Sequence, residues 1–194
     1  MNFLERAWHK KAGWLILLWP LAFLFQGLTK IRRTFQQGNS RPTKHNTPVV
    51  VIGNISVGGT GKTPLLIAIV QQLQTVGLRP GIVSRGFGGV GAVYPMQVSG
   101  NDNPAIAGDE PVLIARKTNC PVVVDPDRRS ALDYLLDLNK VDVVLSDDGL
   151  QHYKLFRNIE VIVVDGQRQF GNGMCFPAGP LREPIKRLQE ADFI

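Results

Sequence analysis

Residues 48–63 read PVVVIGNISVGGTGKT: a short β-branched run, a glycine-rich stretch, then Lys62 and Thr63. Leu65, Leu66, Ile69, Val70 and Leu73 follow at helical spacing. A buried strand, a glycine loop and a helix, in that order, is the setting a phosphate-binding loop requires. Gly58, Gly59 and Gly61 let backbone N–H groups close around phosphate oxygens, and the helix starting near Lys62 points its positive end at the same anion. Lys62 supplies a mobile charge for the β- and γ-phosphates, and the Thr63 hydroxyl is a ligand for Mg²⁺. The loop that would grip a nucleoside triphosphate, ATP above all, is Ser56, Val57, Gly58, Gly59, Thr60, Gly61, Lys62 and Thr63. Ser56 stands where the strict pattern G-x-x-x-x-G-K-[ST] has glycine. A plain turn is the competing reading, and the flanking strand and helix argue against it.

A second apolar run, residues 141–146, leads into DDGLQH (147–152). Acids at the C-terminal end of a strand parallel to the first would face the γ-phosphate, so Asp147, Asp148 or both are expected to hold Mg²⁺. GDEP (108–111) opens another helix. By spacing Asp109 reads as an N-cap with proline in the first turn, or as a base placed near the phosphates. DPDRR (125–129) reads as a helix start capped by Asp127. SRGFG (84–88) and PAGPLREP (177–184) are loops that could meet a phosphorylated acceptor or serve as connectors. His152 after a turn reads more simply as structural than as catalytic.

The charge is unevenly placed. Of 22 Lys and Arg, eight fall in residues 1–47 against Glu5 alone, so that segment carries +7 while the rest is near neutral. A basic nucleic-acid face on the folded part is therefore not indicated. Between Lys11 and Lys30 the chain is uncharged and apolar but for Gln26 and Thr29. About 17 residues at ~1.5 Å each make roughly 25 Å of helix, short of a ~30 Å hydrocarbon layer. Pro20 is expected to kink it, and Trp14 and Trp19 suit a bilayer interface. A helix lying in the membrane surface, flanked by cations that favour anionic headgroups, is the expectation. A helix packed on a partner is the alternative. A cleavable signal lacks its small-residue site in QGLTKIRR. Cys120 and Cys175 stand apart without metal spacing, consistent with a reducing compartment.

GNISVGGTGKTP (53–64), SRGFG, GDEP, DDGLQH and PAGPLREP, in this order and behind an apolar, basic N-terminal segment, resemble the tetraacyldisaccharide 4′-kinases of lipid A biosynthesis. The resemblance covers nearly the whole chain. It implies ATP- and Mg²⁺-dependent phosphorylation of the 4′-hydroxyl of a lipid disaccharide 1-phosphate, at the cytoplasmic face of the Gram-negative inner membrane. It implies nucleotide and Mg²⁺ roles for Lys62 and Thr63, a metal and phosphate pair in Asp147 and Asp148, and a catalytic base in Asp109. It also implies places in the active-site loop for Arg182 and Glu183. Family members continue into a second, smaller α/β domain carrying the His that partners the base. The chain is therefore expected to be a fragment, not fully active alone, with residues 191–194 beginning a strand.

The expected architecture is a doubly wound, mostly parallel α/β sheet of P-loop type over residues 48–194, preceded by a membrane-associating arm and linker over residues 1–47. Two rivals stand beside the lipid kinase. One is a soluble P-loop kinase or ligase of a small metabolite, which the arm disfavours. The other is a membrane-bound regulatory ATPase, whose signature lysine before the double glycine is here Val57.

Overall fold

A computed structural model of the chain describes residues 3–10, 12–38, 46–86, 89 and 93–194. Val49–Gly53 forms β1, buried on both sides and so almost wholly β-branched. The loop that follows delivers the chain to α3, Lys62–Thr75, whose N-cap is Gly61. Ahead of these lie α1 (Phe3–His9), a 3-10 turn (Gly13–Leu18) and α2 (Trp19–Gln37). After them come β2 (Pro80–Ser84), β3 (Met96–Val98), α4 (Pro104–Ala107) and α5 (Asp109–Thr118). Then follow β4 (Val122–Val124), α6 (Arg128–Leu138), β5 (Val143–Asp147) and β6 (Ile159–Ile162). A 3-10 helix, Ile185–Glu190, lies near the C-terminus.

The six strands lie in the order β3-β4-β2-β5-β1-β6, parallel except for β3, which pairs antiparallel with β4 at one edge. Helices α3 and α5 cover one face around Ile52, Leu66, Ile82, Ile114 and Leu145. Helix α6 covers the other around Val51, Val83, Leu132, Leu135 and Val144. The sheet is thus doubly wound, of P-loop type. Because β5 sits between β1 and β2, successive connections diverge at β1, and a crevice opens beyond its carboxyl end. Phe193 makes an isolated parallel bridge with Val161 beside β6; residues 191–194 are not otherwise strand.

The arm differs from expectation in three ways. Pro20 lies in the first turn of α2, where its missing N–H costs nothing, so it marks a 3-10 to α junction instead of kinking the helix midway. The helix also runs past the apolar segment to Gln37, so more of residues 1–47 is helix than the apolar stretch alone; residues 39–45 lie outside the described residues. Gly13–Gln37 together make 25 helical residues, long and apolar enough to cross a membrane by length and composition. The arm is fastened to the body. Trp8 Nε1 donates to the Pro177 carbonyl (3.0 Å), Phe25 stacks edge-on at Phe176 (5.8 Å between centroids), and Arg33 pairs with Glu190.

Candidate active site

The loop after β1 turns on glycines. Gly58 (φ 106°) and Gly61 (φ 80°) take left-handed backbone that a side chain would resist. The loop's first half is laced to residues 180–182: the Val57 N–H donates to the Pro180 carbonyl (2.8 Å) and that of Arg182 to Ile55 (2.7 Å). Two of the sequence motifs are thereby one structure. Lys62 Nζ donates to Asn54 Oδ1 (3.2 Å) and lies 3.4 Å from Asp148 Oδ1. Arg182 approaches the other oxygen of Asp148 at 3.7 Å.

Strands β1 and β5 are adjacent and parallel, with Ile52 in register with Asp147, so the acids arrive beside the loop. Asp147 is the last residue of β5, not the first beyond it, and is buried. Burial, reinforced by Glu110 and Asp148, pushes its carboxyl up to about 6 against the pull of Lys62 and Arg128. Its Oδ1 is buried with no hydrogen-bond partner among the described residues. An unmet carboxylate oxygen, with the Thr63 hydroxyl at the start of α3, suits a hard cation that keeps water and phosphate as its other ligands. Among the described residues no three His, Cys, Asp or Glu side chains form a group that could hold a metal ion by themselves.

Asp147, Asp148, Glu110, Arg128 and Arg182 line a cleft of about 250 Å³. Arg85, from the loop after β2, and His152 line it too; Phe87 and Gly88 of that loop lie outside the described residues. Burial, with Arg128 and Arg85 close by, lowers His152 to about 4, so its ring is neutral near pH 7. A second recess of about 330 Å³ adjoins, lined by Arg32, Arg85, Arg128, Arg129 and Lys154 against the acid of Asp127. It reaches back to α2 through Arg32 and Gln36.

Two expectations are corrected here. Asp109 is not the N-cap of α5: Gly108 (φ 93°) is, because the chain must turn sharply out of α4, and Asp109 is the first helical residue, exposed. Its neighbour Glu110 lines the cleft. Glu183 is buried away from the cleft, 3.3 Å from Arg187, and lines a recess beside α2 with Lys30 and Arg33. Asp127 does cap α6, accepting from the Arg129 N–H at 2.9 Å. That cap aims Arg128 inward, where its Nη2 donates to the Asp147 carbonyl (3.0 Å). Arg128, Asn54 and Glu110 were not singled out by the sequence reading. An arginine after a cap reads as surface, and only the meeting of α6 with the end of β5 makes it a buried brace.

Against known proteins, residues 14–194 match the family described as tetraacyldisaccharide-1-P 4′-kinase. The tetraacyldisaccharide 4′-kinase of Hahella chejuensis is 50% identical over 198 residues, 99% of this chain and 59% of that protein. That of Aeromonas hydrophila is 51% identical over 192 residues, 98% and 58% of the two chains. That of Legionella pneumophila is 46% identical over 192 residues, 99% and 59%. The chain thus spans less than three fifths of the length of these relatives. The "apo" form of LpxK from Aquifex aeolicus, in complex with ATP, superposes with a TM-score of 0.79 at 30% identity, covering 92% of this chain and 57% of that one.

Proposed function

The chain belongs to the tetraacyldisaccharide-1-P 4′-kinase family, and on that premise we propose that it supplies the nucleotide-binding part of an enzyme phosphorylating the 4′-hydroxyl of a tetraacyldisaccharide 1-phosphate. The observation that carries this reading is Lys62 set 3.4 Å from Asp148, with the loop and both acids at the carboxyl ends of adjacent parallel strands. ATP is the donor, its phosphates held by Lys62 and by N–H groups of the loop 56–63 other than that of Val57, which Pro180 already engages. Mg²⁺ bound with it would be held by Asp147, Asp148 and Thr63 and would neutralise charge on the β- and γ-phosphates. Binding frees Lys62 from Asp148, and Arg182 gains a phosphoryl group to face. The 4′-oxygen attacks the γ-phosphorus, the bond to the β–γ bridging oxygen breaks, and ADP leaves. Asp109, exposed on the first turn of α5, takes the hydroxyl proton. Positioning and charge neutralisation supply most of the rate.

The basic recess beside the cleft suits the acceptor's own phosphate, with Arg85 and Arg128 shared between the two. The arm brings this end of the molecule to the lipid: α2 lies in the membrane surface on the cytoplasmic side, where ATP is available. Residues 1–47 act as that arm and linker and residues 48–194 as the kinase domain, completed in relatives of full length by further sequence. The test is incubation of the full-length protein with γ-labelled ATP, Mg²⁺ and a tetraacyldisaccharide 1-phosphate, beside Lys62→Ala. Label is expected in the lipid, falling at least ~100-fold in the variant with the loss of its phosphate-neutralising ammonium. Labelled inorganic phosphate without labelled lipid would favour the regulatory ATPase and overturn the kinase.

A further inference from the structure

Asp148 has φ 46°, left-handed backbone that costs a residue with a Cβ free energy, and it opens the turn that presents its own carboxylate to Lys62. Such a conformation persists only when its surroundings impose it. Gly149 N–H donates to the Ile52 carbonyl (3.2 Å) and so anchors the turn's beginning to β1. Beyond it the turn closes on itself, His152 N–H donating to the Gly149 carbonyl (3.0 Å) and Leu155 N–H to that of His152 (3.0 Å), and one side chain ties its carbonyls to β6. Arg157 Nη1 donates to the Leu150 carbonyl (3.1 Å), Nε to that of Leu155 (3.2 Å), and Nη2 to that of His152. Its Nη1 also donates to Glu160 Oε1 at 2.8 Å. Arg157 and Glu160 are mostly buried, at 12% and 10% side-chain exposure, so these bonds face little competition from water.

Glu160 is fixed in turn. It lies on β6, its N–H donates to Asp192 Oδ2 (2.8 Å), and its second carboxylate oxygen takes Arg187. Arg187 also pairs with Glu183, the neighbour of Arg182, at 3.3 Å. One buried ionic string therefore reaches both the turn bearing Asp148 and the loop bearing the arginine that faces it.

We propose that Arg157 is a positioning residue for the Asp147–Asp148 pair: its guanidinium, anchored by Glu160, holds the turn so that the carboxylates meet the metal-bound triphosphate in a fixed geometry. The inference rests on the functional reading above. The chemistry demands arginine, because only a planar fork with five donors reaches three carbonyls and a carboxylate at once; a lysine ammonium, with three donors on one atom, does not.

The test uses the full-length protein and Arg157→Lys, which keeps the charge that Glu160 needs. Affinity for a fluorescent ATP analogue is measured in EDTA and in Mg²⁺, together with kcat and KM on the lipid. In EDTA the variant is expected to bind like the parent, since the loop at residues 56–63 is untouched. The gain in affinity brought by Mg²⁺ is expected to fall about tenfold, and kcat by a similar factor or more, as when an outer-shell partner of a metal ligand is removed. KM for the lipid should change little. A Mg²⁺ gain equal to the parent's would overturn the proposal, as would equal weakening in EDTA and Mg²⁺, the mark of general loosening. A parent that binds no nucleotide would overturn the functional reading, and this inference with it. If Arg157→Lys does not fold, Glu160→Gln carries the test: a smaller loss of the Mg²⁺ gain supports the proposal, and an unchanged gain overturns it.

Discussion

The carboxyl of Asp147 is 2% exposed at the end of a central strand, and ionising it there costs the fold free energy. Its value of about 6 in the native state lies above that of an unfolded aspartate, so the native state holds the proton more tightly. The stability this contributes is whole below the unfolded value, ~3.9, and is lost as pH rises through 6. Asp147→Asn removes the cost. It should stabilise the nucleotide-free protein at pH 8 by roughly 1–3 kcal/mol, shrinking as pH falls toward 4.5, while abolishing Mg²⁺-dependent nucleotide binding. Urea denaturation at the two pH values checks this, and a variant less stable than its parent at pH 8 would refute it. That Lys62 and Asp148 would meet was legible because each sits inside a short motif at the end of a strand. Asn54, Glu110 and Arg128 lie inside or beside stretches the sequence reading singled out, but which of their side chains turns inward depends on how the loop, α5 and α6 pack, and no local pattern shows that. Glu183 misled for the same reason in reverse: next to Arg182 in sequence, it turns into the buried cluster around Arg187.

Among the elements, those with a sustained period were readable: β1 and α3 around the loop, α5, α6 and β5. The short pieces were not. β3 has three residues and pairs only at an edge, and α4 is a single turn whose Asn103 cap matches any turn signal. Where β1 ends, packing is tightest. A Cβ added at Gly53 would sit 2.5 Å from Leu150 Cβ and 3.1 Å from its backbone nitrogen, and Leu150 belongs to the turn that Arg157 holds. Backbone cannot swing aside as a flexible side chain can. Gly53→Ala should therefore cost about 1–3 kcal/mol and also shift the carboxylate turn. Denaturation midpoints measure the first effect and the Mg²⁺ requirement for nucleotide binding the second; a variant as stable as its parent would mean that β1 and the turn move freely past each other.

For the molecule as a whole, α2 is amphipathic in the sense opposite to that of a soluble protein's helix. Ala22, Phe25, Gln26, Thr29, Arg33 and Gln36 form the stripe turned to the body, largely polar apart from Phe25, with Arg33 5.9 Å over the Tyr153 ring and paired with Glu190. Leu21, Leu24, Leu28, Ile31 and Phe35 form the opposite stripe, exposed between 53% and 73%, and Leu17 in the preceding 3-10 turn is 80% exposed. The apolar segment was legible in composition, but which face turns outward depends on where the body's charged groups lie. In water such a stripe is a liability; on the reading proposed above it is the face that enters the bilayer surface, with Lys30 and Arg32 beside it for anionic headgroups. Replacing Leu21, Leu24 and Leu28 by Ser removes side chains that are 53%, 60% and 58% exposed. Each half-exposed leucine can contribute about 1 kcal/mol on entering the interface, so the triple variant should bind phosphatidylglycerol-containing vesicles on the order of 100-fold more weakly. Its thermal stability without lipid should match the parent's or exceed it, because little packing is lost. Sedimentation with vesicles and a melting curve decide the matter: unchanged vesicle binding with an intact fold would place the membrane contact elsewhere, and a collapsed melting temperature would mean that the stripe is covered by protein.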